Sequence, residues 1–215
     1  MNERDSLLSS RRAFLGRSAV AGGVLALGAL ALPAVPAHAL EFSSGDARLL
    51  AFLLEVQTLQ SDYFTRASMS TSAEGMTLGE ANALNTLAEQ DERQKRWCKM
   101  ALRKFSIGQH GLPSTLSGGF AIKRYSFKAM DSRDTLLREA LRLKSAGAAA
   151  WMGAAGEADN GEIASAFASL AGVQARHRAV LADALGQPAL MAMAPALSLN
   201  DATRELEEFG FRAMM

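Results

Sequence analysis

One histidine, one aspartate, two lysines and four glutamines stand where the sequence otherwise asks for apolar side chains, and they carry the chemistry this chain can offer. Gln174 and His177 lie three positions apart in the run GVQARHRAVL, whose remaining spacing is that of an apolar helical face. With successive residues about 100° apart on a helix, Asp91 and Lys95 fall on a stripe of Leu84, Leu87, Ala88, Cys98, Leu102 and Phe105. Gln94 sits at one edge of that stripe, Glu92 is displaced towards the other and Glu89 points away. Lys144 falls in the middle of a face made by Leu137, Ala140, Leu141, Ala148 and Trp151. Gln60 lies inside, and Gln57 on the flank of, a stripe of Leu49, Phe52, Leu53, Val56, Leu59, Tyr63 and Phe64, with Glu55 and Asp62 outside it. A lone histidine on such a face is ordinarily a hydrogen-bonded core residue. Here four segments each bring a polar group onto an apolar face at mid-length. An unpaired polar group costs roughly 1–3 kcal/mol in a protein core, so the four point to one shared buried site.

The elements that must position these groups follow from the same periodicity. It predicts helices from about Asp46 to Arg66, from Thr77 to about Lys104, from near Ser132 onward, and from about Glu162 to Leu185. Thr77 and Glu80 form a candidate capping box at the second start. Ala67 to Met76 separates the first pair, and a Gly- and Asp-rich turn from Gly153 to Gly161 separates the second, so each pair should be an antiparallel hairpin. Ser106 to Asp131, rich in glycine, is long enough to run the length of a bundle. Two hairpins joined by one long crossover make an all-α, ferritin-like four-helix bundle, here with a short C-terminal helix.

Composition bounds the partners. About half of the 215 residues are apolar and the net charge is +1, so the size prior gives one globular domain and no overall basic field to steer nucleic acid. Ser10, Arg11, Arg12, Ala13, Phe14, Leu15 and Gly16 spell a twin-arginine export signal, in which Arg11, Arg12, Phe14 and Leu15 carry the motif. An apolar stretch from Ala19 to Leu32 follows, then Pro33, Pro36 and a small-residue cleavage site at Ala37 and Ala39. The expected organisation is a signal peptide over residues 1–39 and a bundle domain over 40–215, exported to the periplasm or another extracytoplasmic space by the twin-arginine translocation machinery. Cys98, the single cysteine, has no intramolecular disulfide partner.

The segment from Tyr125 to Asp134, the stretch Ala146 to Ala155 and the run Ala175-Arg176-His177 resemble exported ferritin-like domain proteins related to the plant desiccation-related protein. The tail from Leu197 to Ala202 looks like that family's closing segment. The resemblance implies a dimetal centre built from a Glu on each of two helices and a Glu-x-x-His pair on each of the other two. It places those roles at Gln57 or Gln60, at Asp91 with Gln94, at Lys144, and at Gln174 with His177. Asp91 and His177 alone remain ordinary metal ligands, because an amide is a poor substitute for a carboxylate and an ammonium repels the cation.

Lys144 admits three readings: a base or amine nucleophile, a side chain that snorkels to solvent, or an ammonium standing where the metal would have been. The third is preferred, with Asp91 as ion-pair partner, Gln57, Gln60 or Gln174 as acceptors, and Lys95 able to serve the same carboxylate. No cofactor is then expected, and the role is non-catalytic, in stress protection or partner binding, with a homo-oligomer or another exported protein as partner. The alternative is a residual metalloprotein holding iron or manganese through Asp91 and His177, with help from Glu92 or Glu55. Met191, Met193, Met214 and Met215 suggest packing before copper handling. Arg93, Lys95, Arg96, Lys99, Arg103 and Lys104 form a basic run that reads as a solvated face or as a surface for a partner or acidic lipid.

Overall fold

A computed structural model of the chain describes residues 40–70, 75–108, 125–127, 130–188 and 196–211. Every regular element among them is helical: α1 (Ser44–Met69), α2 (Leu78–Gly108), α3 (Arg133–Glu157), α4 (Gly161–Ala184) and α5 (Leu199–Leu206), the last running into a 3-10 turn at Glu207–Phe209. The expected all-α four-helix architecture with a short C-terminal helix is the one the chain adopts. No described helix is long and apolar enough to cross a membrane.

Local chemistry sets the helix starts. Asp46 N donates to Ser43 Oγ at 3.0 Å while Ser43 N donates to Asp46 Oδ2 at 3.1 Å, a reciprocal cap that opens α1. The expected box at α2 is present as well, with Thr77 N donating to Glu80 Oε2 at 2.9 Å and Glu80 N to Thr77 Oγ1 at 3.3 Å. Ser132 and Asn160 accept from the first turns of α3 and α4. Such caps are worth about 1 kcal/mol each, enough to fix where a helix begins but not how helices pack.

Contacts between helices fix their directions. Tyr63 Oη donates to Leu136 O at 2.7 Å and Gln60 Nε2 to Leu143 O at 3.1 Å, so α1 climbs as α3 descends. Lys104 Nζ donates to Leu40 O at 2.8 Å, which brings the far part of α2 to the start of α1. At the opposite end Arg133 bonds Glu80 Oε1 through Nε at 3.0 Å and also donates to the Ala184 carbonyl, joining the starts of α2 and α3 to the end of α4. Although partial burial works against it, the Arg133 guanidinium and Thr77 hold the Glu80 carboxyl below its ordinary value. Helices α2 and α3 therefore run the same way.

Two expectations are corrected. The turn placed at Gly153 to Gly161 is shorter, because α3 continues to Glu157 and only residues 158–160 connect it to α4. Gly153 is helical and serves a close approach: a Cβ there would lie 1.8 Å from the Leu197 carbonyl oxygen. Leu197 N donates to Ala149 O at 3.3 Å, and α5 lies beyond this crossing against α3. Leu136 and Leu143, whose carbonyls accept from Tyr63 and Gln60 of α1, are core residues although the single-stripe reading left them out. Glu55 is the second correction, since it is buried where it was placed outside the stripe. Its neighbour is Tyr125, at the end of the crossover, whose phenol is raised first by burial and then by the charge of Glu55.

Candidate functional site

Halfway along the bundle, α1 contributes Gln57 and Gln60, α2 contributes Asp91 and Gln94, α3 contributes Lys144 and α4 contributes Gln174, and all six side chains are fully buried. Lys144 Nζ is the donor that organises them. It reaches Asp91 Oδ1 at 2.5 Å, Gln174 Oε1 at 3.0 Å and Gln60 Oε1 at 3.4 Å. An ammonium has three N–H donors, so these acceptors use its full capacity. The Phe64 ring lies 4.7 Å from the same nitrogen, adding its π face to the cage.

Gln174 extends the network, because its Oε1 accepts from Lys144 while its Nε2 donates to Gln94 Oε1 at 2.6 Å and to Gln57 Oε1 at 3.3 Å. Gln57 Nε2 in turn donates to the Asp91 backbone carbonyl at 3.3 Å. Gln60 Nε2 closes on Leu143 O over Gly147, where a Cβ would lie 1.8 Å from that amide nitrogen. Glycine at 147 is thus a space requirement of the network. Asp91 Oδ2 accepts no hydrogen bond among the described residues, although the amides of Gln57 and Gln174 lie near enough to favour the charged carboxylate.

Burial pushes the Asp91 carboxyl up and the Lys144 amine down, and each is opposed by the charge of the other. The contact distance and the amide acceptors favour the ionised pair, since a neutral amine would leave acceptors facing lone pairs.

His177 is buried at the same level but pairs with Gln90, Nε2 to Oε1 at 2.5 Å. Burial, then the charges of Lys144 and Arg176, hold the imidazole well below its ordinary value. The neutral ring must donate from Nε2 to an amide oxygen, which leaves the Nδ1 lone pair inward and unpartnered among the described residues. Gln90 was missed in the sequence, although it lies one turn before Gln94 and one position after Glu89 on the side that turns inward. Its spacing to Leu87 and Gln94 was the available signal.

Lys95 does not serve Asp91, contrary to expectation. Its ammonium pairs with Glu92 and donates to Ser61 Oγ at 3.0 Å, while Ser61 donates to Glu92 Oε2 at 2.9 Å. The extra rotation of about 40° over four residues turns Lys95 to the α1–α2 rim, and Asp91 Oδ1 is already held by Lys144. Glu92 is committed to that rim cluster. Cys98 is a buried free thiol whose pKa burial raises. Glu139, also buried, was not anticipated, because the stripe reading of α3 did not include the side on which its carboxylate lies near Tyr63 of α1.

Arg11, Arg12, Phe14, Leu15, Ala37 and Ala39 of the export and cleavage motifs, and Met191, Met193, Met214 and Met215, lie outside the described residues. A cavity of about 560 Å³ lined by Leu40, Phe42, Asp46, Lys104 and Asp159, among others, sits at the start of α1 and shares no residue with the network.

Four helices in two hairpins, with a ring of polar side chains buried at mid-height, define a bundle of the class that elsewhere houses cofactors between its helices. A model of the ferritin-like domain matches residues 45–187, and the chain belongs to that family. No curated protein and no solved structure matches it.

The family's dimetal centre can be tested against the donors present. Two divalent cations need several carboxylates for charge balance, and imidazoles to complete their shells. At this level the bundle offers one carboxylate bonded to an ammonium, together with amides and one imidazole. Among the described residues no group of three or more His, Cys, Asp or Glu side chains gathers into a metal-binding cluster. These donors do not fit a dinuclear centre.

Proposed function

We propose that this chain is an exported ferritin-like bundle in which the Lys144 ammonium replaces the dimetal centre, leaving a non-catalytic protein with a stress-protective or partner-binding role. The carrying observation is the bond from Lys144 Nζ to Asp91 Oδ1 at 2.5 Å inside a ring of glutamines. A fixed cation balances the one carboxylate and cannot be lost to chelation or exchanged for another ion. The amide ring then sets side-chain geometry without redox chemistry. The twin-arginine motif at Arg11 and Arg12 supports export and, with it, a working compartment outside the cytoplasm. The resemblance to desiccation-related proteins supports the stress-protective role, and a homo-oligomer or another exported protein is the partner class this reading leaves open.

A second reading, a residual metalloprotein, rests on one observation: Asp91 Oδ2 and His177 Nδ1 are both buried without hydrogen-bond partners among the described residues. Metal analysis of protein purified from its native compartment separates the two. The proposal expects iron and manganese well below one ion per chain. Stoichiometric metal that disappears in His177→Gln would favour the second reading.

A further inference from the structure

The basic run on α2 resolves into two groups. Lys95 is spent on Glu92 and Ser61, and Lys104 on the Leu40 carbonyl. Arg93, Arg96, Lys99 and Arg103 are exposed, and Met100 among them is 57% exposed. On a helix these five side chains share an arc of about 120° and extend over about 15 Å. Among the described residues Arg93 has a loose contact with Glu89 at 3.8 Å, and Glu92, whose carboxylate feels the charge of Arg96, is already held by Lys95.

The helix macrodipole does not account for the stripe, because its cations stand before the last turn of α2, which itself contains none. Neither can the following crossover neutralise it. Residues 93–130 contain nine Lys and Arg and no Asp or Glu, whereas the rest of 40–215 has ten Lys and Arg against twenty Asp and Glu. A near-neutral chain is therefore strongly polarised, and its positive part includes one outward helical face.

We propose that the α2 face of Arg93, Arg96, Lys99, Met100 and Arg103 is a docking surface for an anionic phospholipid membrane. Charge complementarity is the first argument: cations near an anionic leaflet each gain about fivefold in partitioning, while a neutral leaflet gives them nothing. Met100 supplies an apolar contact at the headgroup boundary, as in interfacial helices. The second argument is where the chain outside the described bundle begins. Lys104, one position beyond the stripe, holds Leu40, and the 39 residues before Leu40 include the apolar stretch from Ala19 to Leu32. In the precursor, before cleavage at Ala39, a membrane that takes up this stretch meets the bundle at the end where the basic face lies. The export reading bears on where such a surface is encountered, whereas binding itself is measured in vitro, so failure of either is seen separately.

The test is flotation of the full-length chain with vesicles of phosphatidylcholine alone, or of phosphatidylcholine mixed with phosphatidylglycerol. The comparison is with the triple variant Arg96→Gln, Lys99→Gln, Arg103→Gln, whose exposed substitutions should leave the melting curve in place. The expected result is about a hundredfold weaker partitioning of the variant to the mixed vesicles, no change on phosphatidylcholine, and loss of the difference at high salt. Equal partitioning of both proteins to mixed vesicles overturns the proposal. So does a variant that loses heparin binding while keeping its vesicle binding, which would assign the face to an anionic polymer.

Discussion

Substituting Lys144 by methionine removes one donor and strands three acceptors: the Asp91 carboxylate and the amide oxygens of Gln174 and Gln60. All lie at positions with no solvent exposure, so water does not replace the lost bonds without opening the bundle. An uncompensated buried charge of this kind costs on the order of 3–5 kcal/mol. Asp91→Leu strands the ammonium instead and should cost a similar amount. If the sites were independent, the double variant would lose about 6–10 kcal/mol, enough to unfold most domains. As a pair, the double variant has no buried charge left, and its remaining cost is that of the two amide oxygens without their donor, about 1–2 kcal/mol each. The expected total is about 2–4 kcal/mol, less than the sum of the single losses by at least about 2 kcal/mol. Urea unfolding of the four proteins of the cycle at neutral pH, with the slope checked for constancy, measures it. In thermal melts each single variant should fall by roughly 6–20 °C, with the double variant above their sum. Additivity to within about 0.5 kcal/mol would refute the pair and with it the replacement of metal by ammonium.

Three other outcomes follow from named contacts. Gly147→Ala forces Gln60 off Leu143 O and should destabilise by about 2 kcal/mol, whereas Gly156→Ala, with nothing within 4 Å of its Cβ, should be neutral or stabilising; equal effects in urea titrations would contradict the packing described. His177 is neutral when folded and takes up a proton near its ordinary value when unfolded, so its stabilising effect is full above about pH 6.5 and is lost as pH falls below that, at about 1.4 kcal/mol per unit. The stability of His177→Gln should therefore depend less steeply on pH between 6.5 and 5, and parallel curves for both proteins would rule out a buried neutral imidazole. Replacing both Arg11 and Arg12 by Lys should hold the precursor in the cytoplasm on fractionation of its host, and undiminished export would remove the twin-arginine reading.

The bundle was legible in the sequence because its causes are local. Apolar residues at three- and four-residue spacing, the Thr77–Glu80 box and two short connections against one long one specify four helices and their hairpins without reference to anything distant. Gln57, Gln60, Asp91, Gln94, Lys144, Gln174 and His177 could be marked for a related reason: a polar group on an apolar stripe is anomalous within its own helix. Which of them bond to one another was not a local matter. Lys95 and Asp91 are neighbours along α2, yet rotation about the helix axis sends one to the rim and the other inward, and only the position of α3 decides that Lys144 takes the carboxylate. Gln90 gained its role from His177 on another helix, and Glu55 and Glu139 lost solvent to segments far away in sequence. Gly153 reads as a turn residue by composition, but the tail crossing at Leu197 makes it a helical contact. Periodicity records which face of a helix turns inward; what covers that face, and which donor meets which acceptor, depends on helices brought together by burial across the whole chain.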